Sequence, residues 1–172
     1  MENQIKRIVI AGGCFWGVEQ YYRSLKGIIT TTVGYTNGNI KKPKYEDLLN
    51  KIATHSEACE IYYDSNVISL KTILEHMFRF IDPTSVNKQG GDVGLQYRTG
   101  IYYKSEEDYK LIKEFIDEKQ KDYNKPIAVE VLEEHGYFLA EEYHQDYLIK
   151  HPTGYCHVNL GLIKKDEMKS GE

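Results

Sequence analysis

Three cysteines, Cys14, Cys59 and Cys156, are the side chains of this 172-residue chain best suited to nucleophilic or redox chemistry. Their odd number and wide spacing fit neither a disulfide framework nor a paired Cys-x-x-Cys zinc or thioredoxin-like motif. Cys14 has the most informative surroundings. It follows Gly12-Gly13 and precedes Phe15, Val18, Tyr22 and Leu25, apolar residues at helical spacing, so it falls where a tight turn opens an amphipathic helix. Unpaired backbone N–H groups and the positive end of that helix then face the sulfur and favour its thiolate. A free thiol with pKa about 8.5 is only about 3% ionised at pH 7, and helix N-termini are among the sites that lower this value. Gly13 lets backbone approach a substrate without hindrance from a Cβ. Phe15 and Trp16, the sole tryptophan, would wall a slot suited to an S-methyl group, sulfur–aromatic contacts contributing roughly 0.3 to 1.5 kcal/mol each. A buried, inert cysteine with Phe15 and Trp16 in a helix core satisfies the same spacing, which leaves the two readings even.

The elements that must position these residues alternate along the chain. Lys6 to Ala11 reads as a short buried strand, broken by Gly12-Gly13 before the helix. Ile28 to Tyr35, rich in Thr, Ile and Val, reads as a second strand closed by Thr36-Asn37-Gly38. Glu57 to Tyr63 is a third strand. Ser69 caps the clearest helix, whose Leu70, Ile73, Leu74, Met77 and Ile81 keep the 3, 4, 7 spacing until Asp82-Pro83. Arg98 to Tyr103 is a fourth strand, Ser105-Glu106-Glu107-Asp108 starts a helix reaching about Asp122, Ile127 to Leu132 adds a strand, and Ala140 to Lys150 a last helix. Strand, helix, strand, strand, helix, strand predicts an α+β fold, one domain with a mixed sheet whose split βαβ, ferredoxin-like core is flanked by helices.

Composition bounds the rest. With 41% hydrophobic residues the chain can build one sizeable core, and neither a repeat nor a linker divides it. Net charge is −4, from 22 Lys and Arg against 26 Asp and Glu. No long basic block is present, Lys41-Lys42-Pro43-Lys44 being the nearest, so neither nucleic acid nor an anionic membrane is expected as partner. The N-terminal apolar run is too short for a signal peptide or a spanning helix, so the expected location is cytoplasmic.

Five segments in order resemble the A-type peptide methionine sulfoxide reductases. Gly13-Cys14-Phe15-Trp16-Gly17 is similar to their nucleophile motif. Gly34-Tyr35-Thr36-Asn37-Gly38, followed by Pro43-Lys44-Tyr45-Glu46, resembles the loop bearing an active-site tyrosine. His55-Ser56-Glu57-Ala58 resembles their carboxylate segment, and Gly90-Gly91-Asp92-Val93-Gly94-Leu95-Gln96-Tyr97-Arg98 their Gly-Asn-Asp-x-Gly-x-Gln-Tyr-Arg signature. Ala140 to Leu148 resembles their C-terminal helix. The likeness runs from about Lys6 to Cys156. Ser56 and Gly91 depart from the family's usual Ala and Asn, and Leu48-Leu49-Asn50 replaces a stretch that often holds Cys-Ser-Gly.

The resemblance implies reduction of the S epimer of methionine sulfoxide, free or in proteins, with Cys14 as nucleophile and Glu57 as the acid that protonates the departing oxygen. A glutamate of pKa about 4.3 is ionised at pH 7, so burial must raise it for that task. Tyr45 and Tyr97 resemble the family's two phenolic donors and Asp92 its second carboxylate; Gly13, Phe15 and Trp16 would bind substrate. The chain's 15 tyrosines carry no such message by themselves. Attack leaves a sulfenic acid, which condenses with a second thiol. The resemblance points to Cys156, in Gly154-Tyr155-Cys156, within a mobile C-terminal tail (151–172) of a single catalytic domain (1–172). Thioredoxin or a similar dithiol would recycle the disulfide. No cofactor or metal is implied, and a monomer is expected. Cys59 lies two residues beyond Glu57 on the same side of a regular strand, so it is either near Cys14 or a small core filler.

Two other classes find less support in the sequence. A Cys-His hydrolase would draw its base from His55, His76, His135, His144, His151 or His157, with no oxyanion signature to support it. A zinc module built on His151, Cys156 and His157 lacks the closely spaced cysteine pair of structural sites.

Overall fold

The computed structural model describes residues 4–39, 41–51, 53–154 and 158–169. Strand β1 (Ile5–Gly12) runs through the middle of a six-stranded sheet, which is why Ile8, Val9, Ile10 and Ala11 form an unbroken apolar run rather than an alternating one. Its two faces enter different clusters. Ile8 and Ile10 meet the helices, whereas Val9 and Ala11 pack with Ala58 and Tyr102 on the other side.

Helix α1 (Phe15–Arg23) and strand β2 (Ile28–Thr36) follow, then the short helix α2 (Tyr45–Leu49) and strand β3 (Ser56–Asp64). β3 inserts between β1 and β2, antiparallel to both. Helix α3 (Leu70–Phe80) leads through a small hairpin, β4 (Lys88–Gln89) and β5 (Asp92–Val93), to β6 (Thr99–Tyr103), which pairs antiparallel with β1. The order β6-β1-β3-β2 is the split βαβ, ferredoxin-like core expected from the element sequence. Helix α4 (Glu106–Gln120) returns the chain to β7 (Glu130–Glu133), parallel to β6, and β8 (Phe138–Leu139) closes the far edge on β2.

Ser69 Oγ accepts the Thr72 N–H at 3.1 Å and Ser105 Oγ the Asp108 N–H at 3.1 Å, so both serines cap their helices as the sequence predicts. Val18, Tyr21 and Tyr22 of α1, Ile73, Leu74 and Met77 of α3, and Ile112 and Phe115 of α4 share one core with Ile10, Ile61 and Ile101. Truncating a side chain such as Ile73 or Met77 to alanine there costs about 2 to 5 kcal/mol. Among the described residues no helix is long and apolar enough to cross a membrane.

Three expectations change. The Ile127–Leu132 strand pairs only from Glu130, because the N–H of Ile127 is taken by Gln120 and that of Ala128 by the Pro83 carbonyl. α2 and the β4–β5 hairpin arise in stretches without periodic signal. The expected helix from Ala140 to Lys150 is broken: β8 runs into a 3₁₀ turn at Glu142–His144, Asp146 takes φ 53°, and only Tyr147–Lys150 is α-helical, here α5. The physical reason is tertiary. Gln145 accepts the Val33 N–H at 2.9 Å and donates to the Val33 carbonyl at 2.8 Å, pairing with β2 as a strand backbone would. The Asp146 N–H donates to the buried Glu19 carboxylate at 2.9 Å. These bonds outweigh helix propensity.

Beyond α5, Val158 and Ile163 are buried in the main core. Arg79 grips Glu167 through two bonds of 2.7 and 2.8 Å, and Leu25 bridges to Met168. Cys156 lies outside the described residues.

Candidate active site

Cys14 sits at the N-cap of α1 with φ −58° and ψ 124°, and its own side chain makes no capping hydrogen bond. The turn that delivers it needs glycine, since Gly13 has φ 95°. Cys14 is buried, with 7% of its surface exposed. Its neighbour's backbone reaches the acid: the Phe15 N–H donates to Glu57 Oε1 at 3.3 Å.

Glu57 is 1% exposed on β3, with its other oxygen accepting Gln96 Nε2 at 2.9 Å. Burial raises its pKa from 4.5 to about 8, against the lowering effect of the Gln96 and Phe15 bonds and with a small push from the Asp92 charge. The carboxyl therefore holds its proton at pH 7. The phenols of Tyr45, opening α2, and Tyr97, in the 3₁₀ turn Leu95–Tyr97, interact with each other. Burial, with the charges of Glu57 and Cys14, raises both above the usual phenol value and keeps them as donors. Asp92 stands on β5, whose hairpin is pinned to the end of α3: Gln89 accepts the Asp82 N–H at 2.9 Å and donates to the Asp82 carbonyl at 2.8 Å. Arg98 clamps the adjoining loops through the Thr54 and Leu95 carbonyls at 3.0 Å each. Gln96, Tyr97 and Arg98 thus serve acid, phenol and scaffold in succession.

The aromatic wall has two layers. Phe15 is buried, its ring 5.7 Å from Tyr35 and 5.1 Å from His144. Trp16 stacks on Tyr147 at 3.7 Å and donates its indole N–H to His144 Nδ1 at 3.0 Å. That bond makes Nδ1 the acceptor, so the neutral imidazole carries its proton on Nε2. Burial lowers the pKa of His144, which favours this neutral form. Among the described residues no group of three or more His, Cys, Asp or Glu side chains could hold a metal ion.

A thiol at a helix start, a protonated carboxyl bonded to the next residue, and two phenols around them can donate two electrons to an electrophilic atom of an apolar ligand and a proton to the polar oxygen that atom carries. The peptide methionine sulfoxide reductase family profile matches residues 6–171. The chain belongs to the peptide methionine sulfoxide reductase family. Among curated relatives, peptide methionine sulfoxide reductase MsrA of Malacoplasma penetrans is 54% identical over 156 residues, 91% of this chain and 98% of that one. Among solved structures, Mxr1 of Saccharomyces cerevisiae in reduced form matches with TM-score 0.85 and 34% identity, covering 91% of this chain and 92% of that one. Mxr1 in complex with Trx2 matches at TM-score 0.60 and 26% identity over 86% and 89%.

In this reductase, the structure brings Cys14, Glu57, Tyr45, Tyr97, Asp92, Phe15, Trp16 and Gly13 to one end of the sheet. Cys59 stays away from it. It does share a face with Glu57, but it is 0% exposed, among Ile10, Tyr22 and Ile61 in the core, where burial pushes its thiol pKa up. The sequence assigns no role to Gln96 or Glu141, and to His144 only that of one possible base among six in a Cys-His hydrolase, although each lies inside a segment that carries the family resemblance; Gln96 stands beside Tyr97, and His144 at helical spacing from Tyr147 offers no separate signal.

Proposed function

We propose that this methionine sulfoxide reductase works through a sulfenic acid on Cys14. The reading rests on Glu57, a sealed carboxyl that keeps its proton at neutral pH and is bonded to the residue beside the thiol. The Cys14 thiolate attacks the sulfoxide sulfur while Glu57 protonates its oxygen, with Tyr45 and Tyr97 donating hydrogen bonds to that oxygen as charge develops. Asp92 helps to hold substrate, and Phe15 and Trp16 receive the S-methyl group. The sulfur–sulfur bond formed by this attack and the sulfur–oxygen bond of the substrate both break, the oxygen passes to Cys14 as S–OH, and the thioether leaves with the sulfur–sulfur electron pair, having gained two electrons.

Cys156 then attacks the Cys14 sulfenic sulfur, a disulfide forms and water departs. Recycling of that disulfide by thioredoxin is supported by the yeast relative solved with Trx2. Thioredoxin, at about −270 mV, is reducing enough for a strained or exposed catalytic disulfide. The scheme needs one catalytic domain, acting as a monomer, whose C-terminal residues supply Cys156, and a reducing compartment such as the cytoplasm. The S epimer is the expected substrate, since the two epimers are served by separate enzymes. Turnover of each epimer by wild type and Cys14→Ser tests the scheme. Wild type should consume the S epimer alone, forming about one equivalent of methionine per enzyme without reductant. Activity retained in Cys14→Ser would end the proposal.

A further inference from the structure

Tyr45 opens a helix of only five residues in the long connection between β2 and β3. Such a helix has no stability of its own, so the direction of the phenol depends on what grips α2 from the body of the domain. Leu48 anchors the helix in one cluster with Val33 and Tyr35, and its first residue is gripped by a carboxylate from the far end of the chain. Glu141 Oε2 accepts the backbone N–H of Tyr45 at 3.1 Å, while Oε1 accepts the hydroxyl of Tyr35 at 2.8 Å. Tyr35 is fully buried and is the register partner of Glu57 across the β2–β3 ladder. One carboxylate therefore links the strand position opposite the acid to the backbone of the residue that supplies the phenol. Its own backbone is fixed too, because the neighbouring Ala140 N–H donates to the Val33 carbonyl at 3.0 Å.

We propose that Glu141 is a positioning residue of the reductase, holding Tyr45 so that its phenol meets the sulfoxide oxygen. This rests on the donor role given to Tyr45 above. Glutamate suits the task because it offers one oxygen to each of two donors. Glutamine at the same place has a single acceptor oxygen and would turn its NH₂ toward one of them. The charge is retained here: burial pushes the Glu141 carboxyl up, but bonds from its own backbone, Tyr35 and Tyr45 outweigh that and lower it below the usual value. Tyr143 adds a third donor at 3.3 Å.

The test is a double-mutant cycle on kcat/KM for a methionine sulfoxide substrate, with melting temperature read on every variant. Glu141→Gln should lose about tenfold, the size of one charge-assisted hydrogen bond. Tyr45→Phe should lose at least as much. In the Tyr45→Phe background, Glu141→Gln should cost less than about twofold more, since the group it positions is gone. Losses that multiply would overturn the positioning role while leaving the Tyr45 assignment intact, as would a Glu141→Gln variant of wild-type activity. Tyr45→Phe with wild-type activity would overturn the donor role and this proposal with it. Should Glu141→Gln fail to fold, Tyr35→Phe removes the hydroxyl that orients the carboxylate; a loss of about threefold, absorbed in the Tyr45→Phe background, is expected, and a loss that persists there counts against the proposal.

Discussion

Replacing Glu57 with glutamine separates two effects of the same proton. In the fold the Glu57 carboxyl has a pKa of about 8, raised from 4.5 chiefly by burial. Ionising it inside the protein is therefore harder than in the unfolded chain by about 5 kcal/mol, at about 1.4 kcal/mol per tenfold in the equilibrium. Between pH about 4.5 and about 8 the folded state keeps a proton that the unfolded state has released. Stability from this group thus falls as pH rises through that window and levels off above it. Glutamine is neutral throughout and keeps an oxygen for the Phe15 N–H. Relative to wild type, Glu57→Gln should gain about 3 kcal/mol between pH 4.5 and 7 in urea unfolding under reducing conditions. Catalysis should move the other way: the variant loses about 10²- to 10⁴-fold at pH 7, and the wild-type decline in kcat/KM above pH about 8 disappears with it. Unfolding free energies that run parallel from pH 4.5 to 8 would refute the reasoning, because the carboxyl would then ionise normally and could hold no proton for the oxygen.

Other outcomes follow from the wall, the core and the C-terminal segment. Trp16 is the sole tryptophan and donates to His144, so acidification below the ordinary imidazole range should change its fluorescence as His144 takes up a proton and ceases to accept; the same transition in His144→Leu would exclude that cause. Cys59→Ala should keep thioredoxin-linked turnover within about twofold while losing about 1 kcal/mol of stability, and peptide mass spectrometry after one turnover should find Cys14 joined to Cys156. A Cys14–Cys59 bridge would reverse the recycling scheme. Arg79→Met removes the two-bond grip on Glu167; trypsin should then cut faster at Lys164 and Lys165, with stability down by about 1 to 2 kcal/mol, and unchanged cutting would show that the grip does not hold this segment.

The local devices were legible in the sequence. Gly12-Gly13 before an amphipathic run placed Cys14 at a helix start, and the serines at 69 and 105 marked two caps because capping depends on a few consecutive residues. The sheet order could be argued from element succession. What stayed hidden depends on partners far along the chain. Glu57 alternates like any strand residue, and only its burial in the folded chain, against the lowering effect of the Phe15 and Gln96 bonds, makes it an acid that keeps its proton. Residues 140–150 carry helical periodicity, yet Val33 and Glu19, more than a hundred residues earlier, claim the backbone and side chains that a helix would have used. α2 is too short to leave a periodic trace, and its first residue is held by a carboxylate about a hundred residues away.

The left-handed turn at Asp146 gives that stretch a different kind of economy. A continuous helix would have sent neighbouring side chains around one axis, some of them to solvent; the broken path sends Glu141 to α2 and β2, His144 to Trp16, Gln145 to the backbone of β2, and Tyr147 to the face of the indole. It behaves as a junction, with almost every position addressed to a different part of the molecule. Substitutions that would strengthen an ordinary surface helix, such as alanine in place of Asp146, therefore pull against the site, and a one-residue insertion or deletion would misdirect several contacts at once. Tolerance to change across these residues should resemble that of an active-site loop, although their sequence reads as a helix.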